Sequence, residues 1–90
     1  MKKHYDIRVS GIVQGVFFRA SAKEKADLLK ISGLVRNESD GSVFIEAEGD
    51  HENLMAYIAW CHHGPPQAVV ENCEVKEGTM KDHGGFSVVR

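Results

Sequence analysis

Polar and apolar residues alternate along the first stretch of the chain. Tyr5, Ile7, Val9, Gly11 and Val13 share one face, with Asp6, Arg8 and Ser10 on the other. A period of two with one apolar face predicts a half-buried strand. The period then lengthens. Phe18, Ala22, Ala26 and Leu29 recur at helical spacing while Lys23, Glu24, Lys25 and Asp27 turn outward, predicting a helix over residues 19–30. Residues 33–37 read as a short strand, and Asp40-Gly41 as a hairpin turn with Gly41 in the left-handed conformation. On the returning strand Val43, Ile45 and Ala47 point one way and Ser42, Phe44, Glu46 and Glu48 the other. Asp50 stands as N-cap of a second helix with Leu54, Ile58 and Cys61 on its apolar face. Gly64 and Pro65-Pro66 stop that helix. Residues 68–77 and 85–89 read as strands, and the broken alternation of Val70 and Cys73 predicts a bulge near Glu71.

The order β-α-β-β-α-β is that of an α+β, ferredoxin-like sandwich: two helices on one face of a mainly antiparallel sheet, with a short extra edge strand at the C-terminal end. Composition agrees with one domain over residues 1–90. The chain is 42% hydrophobic and 27% charged, an ordinary globular balance, and no linker, repeat or low-complexity segment interrupts it. A chain of this length buries roughly 60–65% of the surface its unfolded form exposes.

Charge and cysteine content remove several classes of function. The formal net charge is −2 and no basic run exceeds Lys2-Lys3, which argues against electrostatic capture of nucleic acid. No apolar stretch approaches the ~20 residues that span a bilayer. The residues after Met1-Lys2-Lys3 lack an apolar leader segment, so the chain is expected to stay in the cytoplasm. Cys61 and Cys73 have neither metal-ligand nor redox spacing and read as reduced thiols; a bond between them stays open. His62 and His63 suit the negative end of the second helix without any metal.

The candidate chemistry lies at residues 11–19, Gly-Ile-Val-Gln-Gly-Val-Phe-Phe-Arg. Gly15 can take positive φ and let successive backbone N–H groups converge. The first turn of a helix starting near Arg19 aims its unpaired N–H groups, and the positive end of its dipole, at the same point. Arg19 adds a planar charged fork for two phosphate oxygens. Such a turn alone serves geometry as often as anion binding. The second segment is Asn37, where the 33–37 strand enters its hairpin. That strand can lie beside the first, bringing Asn37 to the mouth of the 15–19 loop. By itself Asn37 is equally a turn former.

Taken together, the two segments resemble the acylphosphatase family. The motif glycine-x-valine-glutamine-glycine-valine-x-phenylalanine-arginine stands intact at residues 11–19. The second family motif stands at Gly33, Val35, Arg36, Asn37, Gly41, Val43 and Gly49, and the Trp60, Gly64-Pro65 and Gly85-Phe86 positions are also similar. Leu34 departs from the family's usual aromatic residue, and Lys30 from its helix-ending glycine. The resemblance implies hydrolysis of a carboxyl-phosphate anhydride to a carboxylate and inorganic phosphate. It implies Arg19 as phosphate-binding arginine, Asn37 as water-positioning asparagine, and a backbone phosphate cradle of Gln14, Gly15, Val16, Phe17 and Phe18. It implies no metal or other cofactor. The partners expected are a small acyl phosphate and its phosphate product, without nucleic acid or membrane, and nothing calls for more than a monomer.

Two other classes compete. A non-catalytic anion-binding module would hold phosphate without turnover, and Asn37 argues against it. An RNA-binding domain of this topology needs exposed aromatics on the sheet and a basic face, whereas Phe44 is the one sheet aromatic that could face outward.

Overall fold

Each change of period in the sequence becomes a change of element in the computed structural model, which describes residues 1–90. The elements are β1 (Lys2–Ile12), α1 (Phe18–Leu28), β2 (Ser32–Asn37), β3 (Val43–Asp50), α2 (His51–Cys61), β4 (Val69–Gly78) and β5 (Phe86–Val89). Alternation places Ile7, Val9, Val35, Val43, Ile45 and Ala47 on one face of the sheet, all fully buried. The stripes of α1 (Phe18, Ala22, Ala26) and α2 (Leu54, Tyr57, Ile58, Cys61) close over that face. No helix is long and apolar enough to cross a membrane.

The five strands run in the order β4-β1-β3-β2-β5. Three neighbouring pairs are antiparallel, and β2–β5 is parallel. The expectation that β2 lies beside β1 is corrected here. The β2–β3 hairpin returns its second arm into the gap, so β3 pairs with both β1 and β2. The predicted bulge is present: Ser10 faces Asn72 and Gly11 faces Val70, leaving Glu71 as the extra residue. Asp50 holds the N-cap position of α2, but its side chain makes no capping hydrogen bond. Its carboxylate instead faces the Met1 ammonium at 3.9 Å.

The end of α1 carries a local cost. Ile31 N–H donates to the Ala26 carbonyl at 2.8 Å and Lys30 N–H to the Asp27 carbonyl at 3.4 Å, the paired bonds of a Schellman cap. This cap requires a left-handed residue, and Lys30 adopts φ 57 to supply it. A side chain there costs about 1 kcal/mol relative to glycine. Lys30→Gly should therefore raise the urea midpoint by an amount equivalent to about 1 kcal/mol at unchanged m-value. An unchanged midpoint would show that the cap is unstrained.

Both cysteines are free thiols. Burial pushes the Cys61 thiol well up, with the nearby Cys73 adding to it, and burial raises the half-buried Cys73 as well. Because the thiolate is the reacting species, Cys61 should react with an aromatic disulfide at least about tenfold more slowly in the native protein than in urea. Equal rates would place Cys61 at the surface.

Candidate active site

β1 delivers the chain to the site by burying Val13, which is 1% exposed, just past its last residue. The backbone then turns sharply. Gly15 takes φ 75, and Phe17 takes φ 65 and ψ 22, a left-handed conformation unusual for an aromatic residue. A Cβ on Gly15 would meet nothing within 4 Å, so glycine is there for its conformation and not for space. Left-handed residues so closely spaced turn backbone N–H groups toward a common concavity, the geometry of an anion nest.

Phe17 then caps α1, with its ring 73% exposed, while the Phe18 ring is 2% exposed. The Phe18 ring meets Trp60 at 5.4 Å between centroids, which pins the loop to the core. The first helical donor is Ser21 N–H, bonded to the Phe17 carbonyl at 3.0 Å. The N–H groups from Gly15 to Ala20 reach no acceptor within the protein, no side chain caps the helix, and no acidic residue sits in its first turn. The positive end of α1 is thus left uncompensated by the chain itself.

Arg19 is half-buried and pairs with no carboxylate; its Nη1 donates to the Val89 carbonyl at 3.1 Å. That bond draws the guanidinium toward β5. Asn37 ends β2, opposite Val43. The two meet on one cleft of about 370 Å³, lined by Val13, Gly15, Phe17, Phe18, Arg19, Ala20, Asn37, Val88 and Arg90. No carboxylate, imidazole or thiol side chain lines it. Arg19, Arg90 and the helix start on its border give it positive character, suited to an anion, and no lining side chain is an obvious general base.

The side chains of two cradle residues point away from the cleft. The Gln14 side chain points to the hairpin, where Nε2 donates to the Glu38 carbonyl at 2.8 Å and the Ser42 carbonyl at 2.9 Å. It ties the 14–17 turn to the hairpin that carries Asn37, and so sets their relative position. Val16 packs against the core and lines a separate groove with Pro65 and Pro66. Arg90 and Val88 were not legible as site residues. They reach the cleft because β5 runs parallel beside β2, with Arg36 opposite Val89. An arginine ending a predicted strand would be the one local hint.

On the hairpin itself, Asp40 Oδ1 accepts from the Ser42 hydroxyl at 2.6 Å and the Ser42 N–H at 2.9 Å. These bonds hold the Asp40 carboxyl below the usual range. Phe44, on the far face of the sheet, lies between two guanidinium groups, Arg8 at 5.6 Å and Arg36 at 4.6 Å from its ring centre. An aromatic already in contact with two guanidinium groups is not a free platform for bases.

Comparison with known proteins finds relatives over nearly the whole chain. The acylphosphatase family profile matches residues 5–88. A curated acylphosphatase of Methylococcus capsulatus is 49% identical over 89 residues, covering 98% of this chain and 97% of that protein. The solved acylphosphatase of Coxiella burnetii superposes with a TM-score of 0.95 at 40% identity, covering 98% of this chain and 93% of the other. The Bacillus subtilis acylphosphatase superposes with a TM-score of 0.94 at 37% identity over the full length of both.

Proposed function

The chain belongs to the acylphosphatase family and hydrolyses acyl phosphates to a carboxylate and inorganic phosphate; we propose that it does so in the cleft between the 15–20 loop, β2 and β5. The observation that carries this reading is that Arg19, Asn37 and the unbonded N–H groups from Gly15 to Ala20 border one positive cavity.

The phosphoryl group sits against those N–H groups, and the Arg19 fork takes two of its oxygens. Asn37 holds the attacking water on the opposite side, donating through its NH₂ and accepting through its carbonyl. A loose phosphoryl-transfer transition state spreads charge over the equatorial oxygens, so placement and fixed positive charge do most of the work. The leaving group is a carboxylate, already a stable anion, which needs no general acid. The water's proton passes to the phosphate itself, since no lining side chain is a base. The acyl group projects toward Phe17 and open solvent, which favours a broad range of acyl chains. We place the enzyme in a reducing compartment, as a monomer, where Cys61 and Cys73 persist as thiols.

Benzoyl phosphate disappearance, followed with and without EDTA, tests the metal-free part of this mechanism. The chemistry asks for no Lewis acid, so kcat should be the same in both. Loss of turnover on chelation would replace the Arg19 and N–H cradle with a metal-assisted route.

A further inference from the structure

Phe17 is placed at a cost that the fold does not recover. Aromatic residues rarely adopt the left-handed region, yet Phe17 sits at φ 65 and ψ 22. Its ring packs into no core: it is 73% exposed and stands outside the hydrophobic cluster that takes its neighbours Val16 and Phe18. Residues held in this region gather at functional sites. A large apolar ring held at the edge of the cleft has no partner within the chain, which leaves it free to meet a ligand.

The ring stands between two cavities. It lines the cleft that holds Arg19 and Asn37, and it lines a neighbouring groove of about 250 Å³ with Val16, Ser21, Pro65, Pro66 and Gln67. Phe17 is the one residue common to both. The cleft has two arginines on its border, whereas no charged side chain lines the groove. A ligand with an anionic head and an apolar tail matches that order of surfaces. The groove is also built before any ligand arrives. Gly64 turns at φ 69, its N–H donates to the Trp60 carbonyl at 2.8 Å, and a Cβ there would run into the Phe18 ring. The 64–67 turn is thus seated on the residue that follows Phe17. Two prolines fix its backbone, and Ala68 N–H donates to the Pro65 carbonyl at 3.0 Å.

We propose that the Phe17 ring and this groove form the acyl-side subsite and rank substrates by the length of an uncharged, straight acyl chain, which rests on the Arg19–Asn37 cleft being the place of acyl phosphate hydrolysis. In-line displacement puts the leaving carboxylate on the side of phosphorus away from the attacking water. Asn37 and Val88 belong to the wall made by β2 and β5, so the leaving group is directed across the 15–20 loop. Phe17 is the one exposed large apolar side chain of that loop. The acyl chain crosses its ring and continues along Val16, Pro65 and Pro66. Pro66 and Gln67 are exposed, so the groove stays open along its length and accepts many chains, each methylene adding contact.

Straight-chain carboxylates are equally good leaving groups, so a homologous series isolates binding. A fully buried methylene is worth about fourfold in affinity, and an open groove that covers half of it gives roughly twofold. In the wild type, kcat/KM for hexanoyl phosphate should therefore exceed that for acetyl phosphate by about tenfold. The difference should lie in KM, because the tail is bound alike in the ground and transition states. Phe17→Ala should bring the hexanoyl-to-acetyl ratio to within about twofold of one, and Pro66→Ser should lower it about threefold. Hexanoylphosphonate and acetylphosphonate, whose P–C bond is not hydrolysed, read the same preference as affinity by calorimetry. Equal kcat/KM for the two phosphates in the wild type overturns the subsite and leaves the roles of Arg19 and Asn37 standing. A hexanoyl preference that survives both Phe17→Ala and Pro66→Ser also overturns it and assigns the tail to another surface. Tighter, Phe17-dependent binding of hexanoylphosphonate without turnover of any acyl phosphate would support the subsite and remove the catalytic roles.

Discussion

Asn37→Ala should lower kcat for benzoyl phosphate on the order of a hundredfold or more while phosphate inhibition stays nearly unchanged. The carboxamide is assigned to the attacking water and not to the bound phosphate, so its loss falls on the transition state. Removing one preorganised polar group of this kind costs about 10²–10³ in kcat. The split between kcat and phosphate affinity is therefore the diagnostic quantity. Because Asn37 ends β2 at a half-buried position and is not among the buried core residues, truncation should leave the fold intact. Asn37→Asp supplies the control: it has the same shape, but its negative charge would repel the phosphate and weaken binding as well. Near-normal kcat in Asn37→Ala would remove Asn37 from the mechanism.

Arg19→Ala should show the other pattern, with phosphate affinity and turnover falling together. In the proposed mechanism its guanidinium faces the phosphoryl oxygens before and during reaction, which would stabilise both the ground state and the transition state. By comparison with other arginines that meet a transferring phosphoryl group, kcat/KM should drop on the order of a thousandfold. Arg19→Lys keeps the charge but loses the planar fork, and should recover only part of the loss. The bond from Nη1 to the Val89 carbonyl makes Arg19 a link to β5 as well. Urea denaturation of Arg19→Ala separates that structural contribution from the catalytic one. A variant that binds phosphate as tightly as the wild type would mean that the backbone N–H groups alone hold the anion.

These expectations rest on residues that could be picked out before any coordinates. The periodicity of residues 5–13 and 19–30, the Asp40-Gly41 turn and the Gly64-Pro65-Pro66 stop are local signals, and the corresponding elements formed within a few residues of their expected ends. The bulge at Glu71 was legible for the same reason, as an interruption of alternation. Arg19 and Asn37 stood out because their chemical types, at those distances from a glycine turn and a hairpin, suit phosphate and water.

Other features were not legible. Gln14 was expected to lend its backbone to an anion cradle, and nothing local showed that its side chain would clamp the hairpin through the Glu38 and Ser42 carbonyls. An amide side chain gives no indication of which distant carbonyl it will meet. Glu46 and Glu48 fell on the face expected to be polar and did lie there, but they are buried. Alternation assigns a residue to a face and says nothing of what will cover that face. Here the cover is the 79–85 connection, held by Glu48 through the Lys81 and His83 N–H groups.

The sequence alone settled which segments become helix and strand, since that depends on residues within a turn or two of one another, and it singled out Arg19 and Asn37 as the groups proposed for phosphate chemistry. Tertiary structure alone decided that β3 enters between β1 and β2, and that β5 pairs in parallel with β2. That pairing joins residues about fifty positions apart, and only the shared packing of the whole sheet selects it. It brings Val88, Val89 and Arg90 to the wall opposite the glycine turn, and so gives the cleft its second side.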